Sequence, residues 1–189
     1  MMILKDLFMN KYLFDTSSLI SFVRYYIPFD EDLILREFLL SGFNDNSFLL
    51  LNEVKMECKR VSSGLVFKEF QELGKIKSPK QKDFIIDAKW HNLIDNNFVI
   101  KGMKQKLNQE EYEQQKINFI KSADFALISY VLSNKNITII TEETINSNDS
   151  KIFKKIPAIC NFKNIDCISL SQFLKKQIKI QYNILGSLF

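Results

Sequence analysis

Residues 11–20 read KYLFDTSSLI. A short apolar run ends in an acid, Asp15, and the small hydroxyl residues Thr16, Ser17 and Ser18 that follow can cap a helix over 19–26. That is a strand turning directly into a helix. The pattern recurs at 48–51, an apolar run too short for a helix, followed by Asn52 as a candidate N-cap for a helix over 53–60. It recurs again where ITIIT at 137–141, rich in β-branched residues, forms a buried strand, and where 165–169 precedes a helix from Ser171. Strands alternating with helices call for a mostly parallel sheet covered on both faces, an α/β fold with a three-layer α/β/α sandwich.

The segments between are helical by period and punctuation. Pro28 interrupts the first helix, and 31–40 carries Leu33, Ile34, Phe38 and Leu39 near a 3.6 period. Ser78 and Pro79 open a helix to about 96 that turns Phe84, Ile85, Ala88 and Leu93 inward. Residues 108–121, containing QEEYEQQK, read as a solvated helix, and Ser122 caps a more apolar one over 123–132.

Composition bounds the answer from outside. A chain of 189 residues is expected to form a single domain over 1–189, with a helical insertion around 62–115 and a C-terminal tail at 178–189. Forty-six per cent hydrophobic residues, seventeen of them Phe, supply a core, and five Gly and three Pro exclude disordered or collagenous classes. The net charge of +4 is compatible with nucleic acid without demanding it. Cys58, Cys160 and Cys167 show no CxxC spacing, and one His leaves no zinc set, so the thiols are expected to be reduced and buried in a cytoplasmic protein. No apolar run reaches the ~18–20 residues of a membrane span, and the opening MMILKDLFMNKYLFD does not fit a signal peptide, so the mature protein is expected to begin near Met1.

Acids at the carboxyl ends of parallel strands lie where such folds place their functional crevice. Asp15 ends the first strand, and Glu142 and Glu143 follow ITIIT. Asp124 and the pair Glu53 and Glu57 lie in the first turns of helices, where the helix dipole favours their ionised form. Each has a plainer reading as a helix-dipole partner or a turn residue. Against it, Asp15 and Asp124 are embedded in strongly apolar sequence, where an unpaired charge is costly. Carboxylates sharing a crevice repel, by about 1 kcal/mol per pair at 4 Å in water and about 4 at a dielectric of 20. A cation must offset this, and all-oxygen ligands select Mg²⁺ or Mn²⁺, which activates water and steadies charge on a phosphodiester.

DTSSLI, EVKMEC, SADFALISYVL and ITIITEE, in this order, resemble the four acidic motifs of PIN-domain nucleases. IFKKIPAICNFKNIDCISLSQFL resembles the C-terminal part of the DUF4411-like subgroup of that family, and KYLFDTSSLISFVRYYIPFD its opening. The resemblance spans residues 11 to about 174. It implies a parallel sheet between helices and a metal site of Asp15, Glu57, Asp124 and Glu143. Asp15 matches the first acid, Asp124 the third, and Glu143 the acid of the T-x-[D/E] motif that begins at Thr141. Ser17 matches the small polar residue two after the first acid. Glu57 takes the V-x-x-E position after Val54, with Glu53 one turn earlier as the alternative. Glu143 stands where many PIN domains have Asp, and Glu142 replaces it if the strand ends one residue sooner.

The function implied is metal-assisted hydrolysis of RNA leaving a 5′-phosphate, Asp15 and Asp124 being the principal ligands and Glu57 and Glu143 orienting water. Proteins of this kind often act as the toxin of a toxin–antitoxin pair, as homodimers restrained by an antitoxin protein. The insertion over 62–115 is expected to be helical cover or a clamp over substrate. Lys75, Lys77, Lys80 and Lys82, and Lys151, Lys154 and Lys155, read first as solvated faces and second as phosphate contacts. Tyr25 and Tyr26 read as core or interface before base stacking, and His91 as a packed or surface residue before a catalyst. The main rival is a catalytically inactive PIN-like module that binds RNA or protein. A haloacid-type phosphatase is disfavoured because DTSS lacks the second Asp of DxDxT, and a receiver domain because the acids come in the wrong order.

Overall fold

The computed structural model describes residues 10–79, 88–145 and 151–177. Four parallel strands form the sheet: β1 (Lys11–Phe14), β2 (Phe48–Leu49), β3 (Ile137–Ile140) and β4 (Cys167–Ile168), in the order β2-β1-β3-β4. Lys11 to Phe14 pair in register with Ile137 to Ile140, so the two longest strands are central. Helices cover both faces, and the fold is a three-layer α/β/α sandwich. No helix among the described residues is long and apolar enough to cross a membrane.

The chain leaves β1 through α1 (Thr16–Tyr25) and α2 (Ile34–Asn44) to reach β2 on one side, then returns to lay β3 on the other side of β1. The order reverses between β1 and β3, and an α/β sheet opens its crevice at the carboxyl ends of the two strands flanking such a reversal. Asp15 and Thr141 are the residues at those two ends.

Alternation along β1 builds one face of the core. Tyr12 and Phe14, two apart and therefore on one side of the strand, meet Phe48 of β2 and Phe173 of α10 (Leu170–Gln177), with ring centroids 4.9–6.2 Å apart. Phe38 and Phe43 of α2 complete the aromatic cluster. Gly42 is what lets α2 lie so close, because a Cβ there would fall within the Phe48 ring. Other core helices are α3 (Asn52–Arg60) and α8 (Ala123–Ser133). Phe125, Ala126, Leu127, Ile128, Ser129 and Val131 of α8 are all buried, which is why that helix reads as nearly continuous hydrophobe.

Several local expectations are corrected. Asp15, not Thr16 to Ser18, caps α1, so the helix starts three residues before the expected position. Asn52 begins α3 but does not cap it; Leu51 stands at the cap, and the Asn52 N–H donates to the Pro79 carbonyl. Leu33 stands at the N-cap of α2, and Asp30 accepts from the Leu35 and Arg36 N–H groups of its first turn, so that helix starts at Ile34 rather than 31 and runs on to Asn44. Ser78 and Pro79 are not helical, and the opening of the helix expected after them lies outside the described residues; its end appears as α5 (Ala88–Leu93) and one π-helical turn, Ile94–Phe98. The insertion, expected to be helical, carries the short helices α4 (Leu65–Glu69) and α6 (Lys101–Lys104), while α9 (Ile156–Lys163) was not anticipated, because its apolar content sits in only eight residues. The solvated helix is α7 (Gln109–Ile120), capped by Asn108 in a capping box with Glu111, but it buries Tyr112 and Lys116. The tail at 178–189 lies outside the described residues.

Candidate functional site

Asp15 is 4% exposed, and both its oxygens are held. Its Oδ1 accepts from the Thr16 N–H at 2.7 Å, and its Oδ2 accepts from the Ser17 hydroxyl at 2.6 Å and the Thr141 hydroxyl at 2.8 Å. The Ser17 and Thr141 hydroxyl oxygens are 3.1 Å apart, and they accept in turn from the N–H groups of Glu142 (3.0 Å) and Glu143 (3.1 Å). The end of β1 is thus laced to the end of β3, and the Asp15 carboxylate is fixed in orientation, with Oδ2 accepting two hydrogen bonds and Oδ1 one, so that Oδ1 keeps a lone pair for a ligand.

Thr16 extends the set sideways, its hydroxyl donating to Glu57 Oε2 at 2.5 Å and so joining α1 to α3. Glu53, one turn earlier on α3, has its Oε2 buried. Asp124 enters from the first turn of α8, which Ser122 caps by accepting from the Phe125 N–H at 3.2 Å. Its carboxyl is pushed up to about 7, first by burial and then by the negative charges of Asp15, Glu143 and Glu57, with Lys151 opposing. Four acids from four separate elements therefore share one electrostatic site. Burial and Asp15 also raise Glu143, against the Ile156 N–H that donates to its Oε2 at 3.0 Å and against Lys151 and Lys155. Glu142 is turned elsewhere: its Oε1 accepts from the Leu170 N–H at 2.7 Å, at the start of α10.

The donor chemistry suits a hard divalent cation, being carboxylate and hydroxyl oxygen with no imidazole among the acids. Cys58 is nearby, and burial pushes its thiol up to about 12 against the Thr16 hydrogen bond. Among the described residues, no three of His, Cys, Asp and Glu stand close enough to close directly around one ion. The arrangement fits an ion held by one or two carboxylates with the others reaching it through water, the usual manner of Mg²⁺.

Asp124 also lines a cleft of about 430 Å³ that Lys106, Lys151 and Lys155 line as well. Of the basic groups anticipated, Lys151 and Lys155 are at the site, Lys154 turns its ammonium to the Asn97 carbonyl at 2.9 Å, and Lys75 and Lys77 are exposed elsewhere; Lys80 and Lys82 lie outside the described residues. Tyr25 is exposed at the opposite end of α1 from Asp15, Tyr26 stacks on Phe22, and His91 is exposed on α5. Cys58, Cys160 and Cys167 are all free, the first two buried. Sequence reasoning passed over Thr16 and Thr141 as site residues and Lys106 altogether. The signal for the two threonines was present, since each is a hydroxyl residue directly at a strand end beside an acid; nothing local marks Lys106.

No curated protein and no solved structure matches the chain. A family model described as Domain of unknown function (DUF4411) matches residues 12–181, a span that contains every acid named above. The chain belongs to the DUF4411 family.

Proposed function

We propose that the chain is a Mg²⁺- or Mn²⁺-dependent endoribonuclease of PIN type that hydrolyses RNA phosphodiester bonds, acting as the toxin of a toxin–antitoxin pair. The observation that carries this reading is the convergence of Asp15, Glu57, Asp124 and Glu143 on the crevice at the strand-order reversal, where burial first, and then the charges of the other three, hold Asp124 protonated up to about pH 7. Carboxylates so opposed are stabilised by a divalent cation, and the ion when bound supplies Lewis-acid activation of water and charge neutralisation at phosphorus. Asp15, locked by Thr16, Ser17 and Thr141, and Asp124, facing the cleft, would hold it. Glu57 and Glu143, tethered at one oxygen each, orient water. The order of the acidic motifs supports the PIN assignment, and with it an antitoxin partner and a homodimer.

The test is cleavage of an end-labelled structured RNA by the purified chain in Mg²⁺, Mn²⁺ or EDTA, with Asp15→Asn and Asp124→Asn alongside. Metal-dependent cleavage with a 5′-phosphate product, reduced by at least ~10²-fold in both variants, is expected. Equal activity in wild type and variants would trace the cleavage to a contaminant and sink the reading. A second reading, an inactive module that binds RNA or protein, is favoured by the anchoring of Glu142 and Glu143 to helix N-termini and by the absence of a closed three-ligand group among the described residues. It predicts no cleavage and no thermal stabilisation by either metal.

A further inference from the structure

Asp124 is the one acid of the four that lines the 430 Å³ cleft, and the proposed chemistry leaves the rest of that cleft unused. Its lining is partly apolar: Met103 and Leu107 are half-buried, and Phe119 of α7 and Phe153, each 8% exposed, stack on each other with centroids 4.3 Å apart and planes at 10°. Polar and cationic groups line it too: Lys106 and Gln115 from the insertion, Asn118 from α7, and Lys151 and Lys155 from the stretch before α9. The two walls are joined. Val99 and Phe153 form an antiparallel bridge, the Ile100 N–H donates to the Ile152 carbonyl at 2.8 Å, and the Lys154 N–H donates to the Phe98 carbonyl at 2.8 Å.

The neighbouring cations are already committed. Lys116 is buried on Asp95 at 2.6 Å, and Lys104 lies 3.9 Å over the Tyr112 ring, so both brace α7 rather than face the cleft. Lys106 is the exposed cation that the insertion contributes to the lining. Positive groups beside a partly apolar lining match an unpaired nucleotide chain, which offers phosphates and an open base face together; a duplex keeps its base faces stacked inside.

We propose that this cleft is the track along which a single-stranded polynucleotide is led to Asp124, with Lys106 as its outer phosphate contact. The proposal rests on the nuclease reading for its end point alone. The shared chemistry is a single-stranded phosphodiester chain, and the test separates its two sources. Fluorescence anisotropy of labelled oligouridine RNA and of the matching DNA is titrated with the full chain in EDTA, so that no cleavage intervenes, at several salt concentrations. The proteins are wild type, Lys106→Ala, Lys106→Glu and Lys135→Glu. Lys135 is an exposed residue just before β3, at the opposite edge of the sheet, and its reversal changes net charge equally.

Lys106→Ala is expected to lower the slope of log affinity against log salt by about one, and Lys106→Glu to weaken binding by about tenfold, while Lys135→Glu stays near wild type. Either oligonucleotide behaving so supports the track, and the tighter of the two names its source. Equal losses at Lys106 and Lys135, no loss at Lys106, a duplex bound as tightly as a single strand, or no binding of either oligonucleotide by the wild-type chain overturns it. Lys106-dependent binding without metal-dependent cleavage would retain the track and discard the nuclease; cleavage without Lys106 dependence would do the reverse.

Discussion

Asp124 is the residue in which burial and charge repulsion meet. Its carboxyl ionises near 7 in the fold and near ~3.9 in the unfolded chain, so between those values the native state holds a proton that the unfolded state has released. Metal-free stability therefore falls as pH rises across that window, and the loss is complete above it. Asp124→Asn removes the charge and keeps the shape. In EDTA at pH 8 it is expected to melt higher than wild type, by on the order of 2 kcal/mol or about 4–8 °C at this chain length, and to match wild type at pH 4. Thermal melts at the two pH values check this, and an Asp124→Asn variant that melts lower at pH 8 would show that the site is not held under repulsion. The other acids are arranged to different ends by single hydrogen bonds. Glu142 and Glu143 are adjacent in sequence, yet one caps α10 and the other meets the N-terminus of α9 within reach of Asp124's charge.

At the scale of elements, two parts of the insertion region, α7 and the turn Ile94–Phe98, are joined by a polar cluster. Tyr112 donates its hydroxyl to Asp95 Oδ1 and Lys116 donates to Asp95 Oδ2, joining α7 to the turn Ile94–Phe98. Burial works to raise Asp95, but the Lys116 and Tyr112 hydrogen bonds outweigh it and leave the carboxyl lowered. Asp95→Asn strands the ammonium of Lys116, whose side chain is 5% exposed. It is expected to cost on the order of 3 kcal/mol, while Lys116→Met, which strands only a carboxylate already 31% exposed, costs less. Denaturant melts of the two variants give the comparison, and equal costs would mean that the pair is not buried asymmetrically. Because a depressed acid lends stability that is lost as pH falls through its folded value, the wild type should surrender this contribution in acid and Asp95→Asn should not. The charge pattern of QEEYEQQK read as solvent-facing because a helix diagram cannot know that an acid seventeen to twenty-one residues away will receive two of its side chains.

For the whole molecule the acids are a cost that a cation should return. A metal that binds the native chain alone raises its stability by RT ln(1 + [L]/Kd), about 2.7 kcal/mol at a hundredfold excess over Kd. Mn²⁺ or Mg²⁺ is therefore expected to raise the melting temperature by roughly 5–10 °C at pH 8 and by less at pH 6, where Asp124 must first give up its proton. The shift should vanish in Asp15→Asn. Scanning fluorimetry against metal concentration is sufficient, and a flat response at both pH values would favour the binding module.

Strand–helix alternation, the buried character of 137–141 and the apolar α8 made the α/β/α sandwich legible in the sequence, because hydrophobic period is a local property. The acids were legible for the same reason, as charges beside strands and inside apolar runs where local chemistry disfavours them. Tertiary structure alone decided the rest. The order β2-β1-β3-β4 places the crevice between β1 and β3 and so brings Asp15 to Thr141, 126 positions away. Packing of α3 against α1 let Thr16 choose Glu57, and the bridge between Val99 and Phe153 turned an insertion and a basic stretch into two walls of one cleft. No local pattern encodes these pairings, because each is fixed by which faces can be buried together, and that is a property of the assembled core.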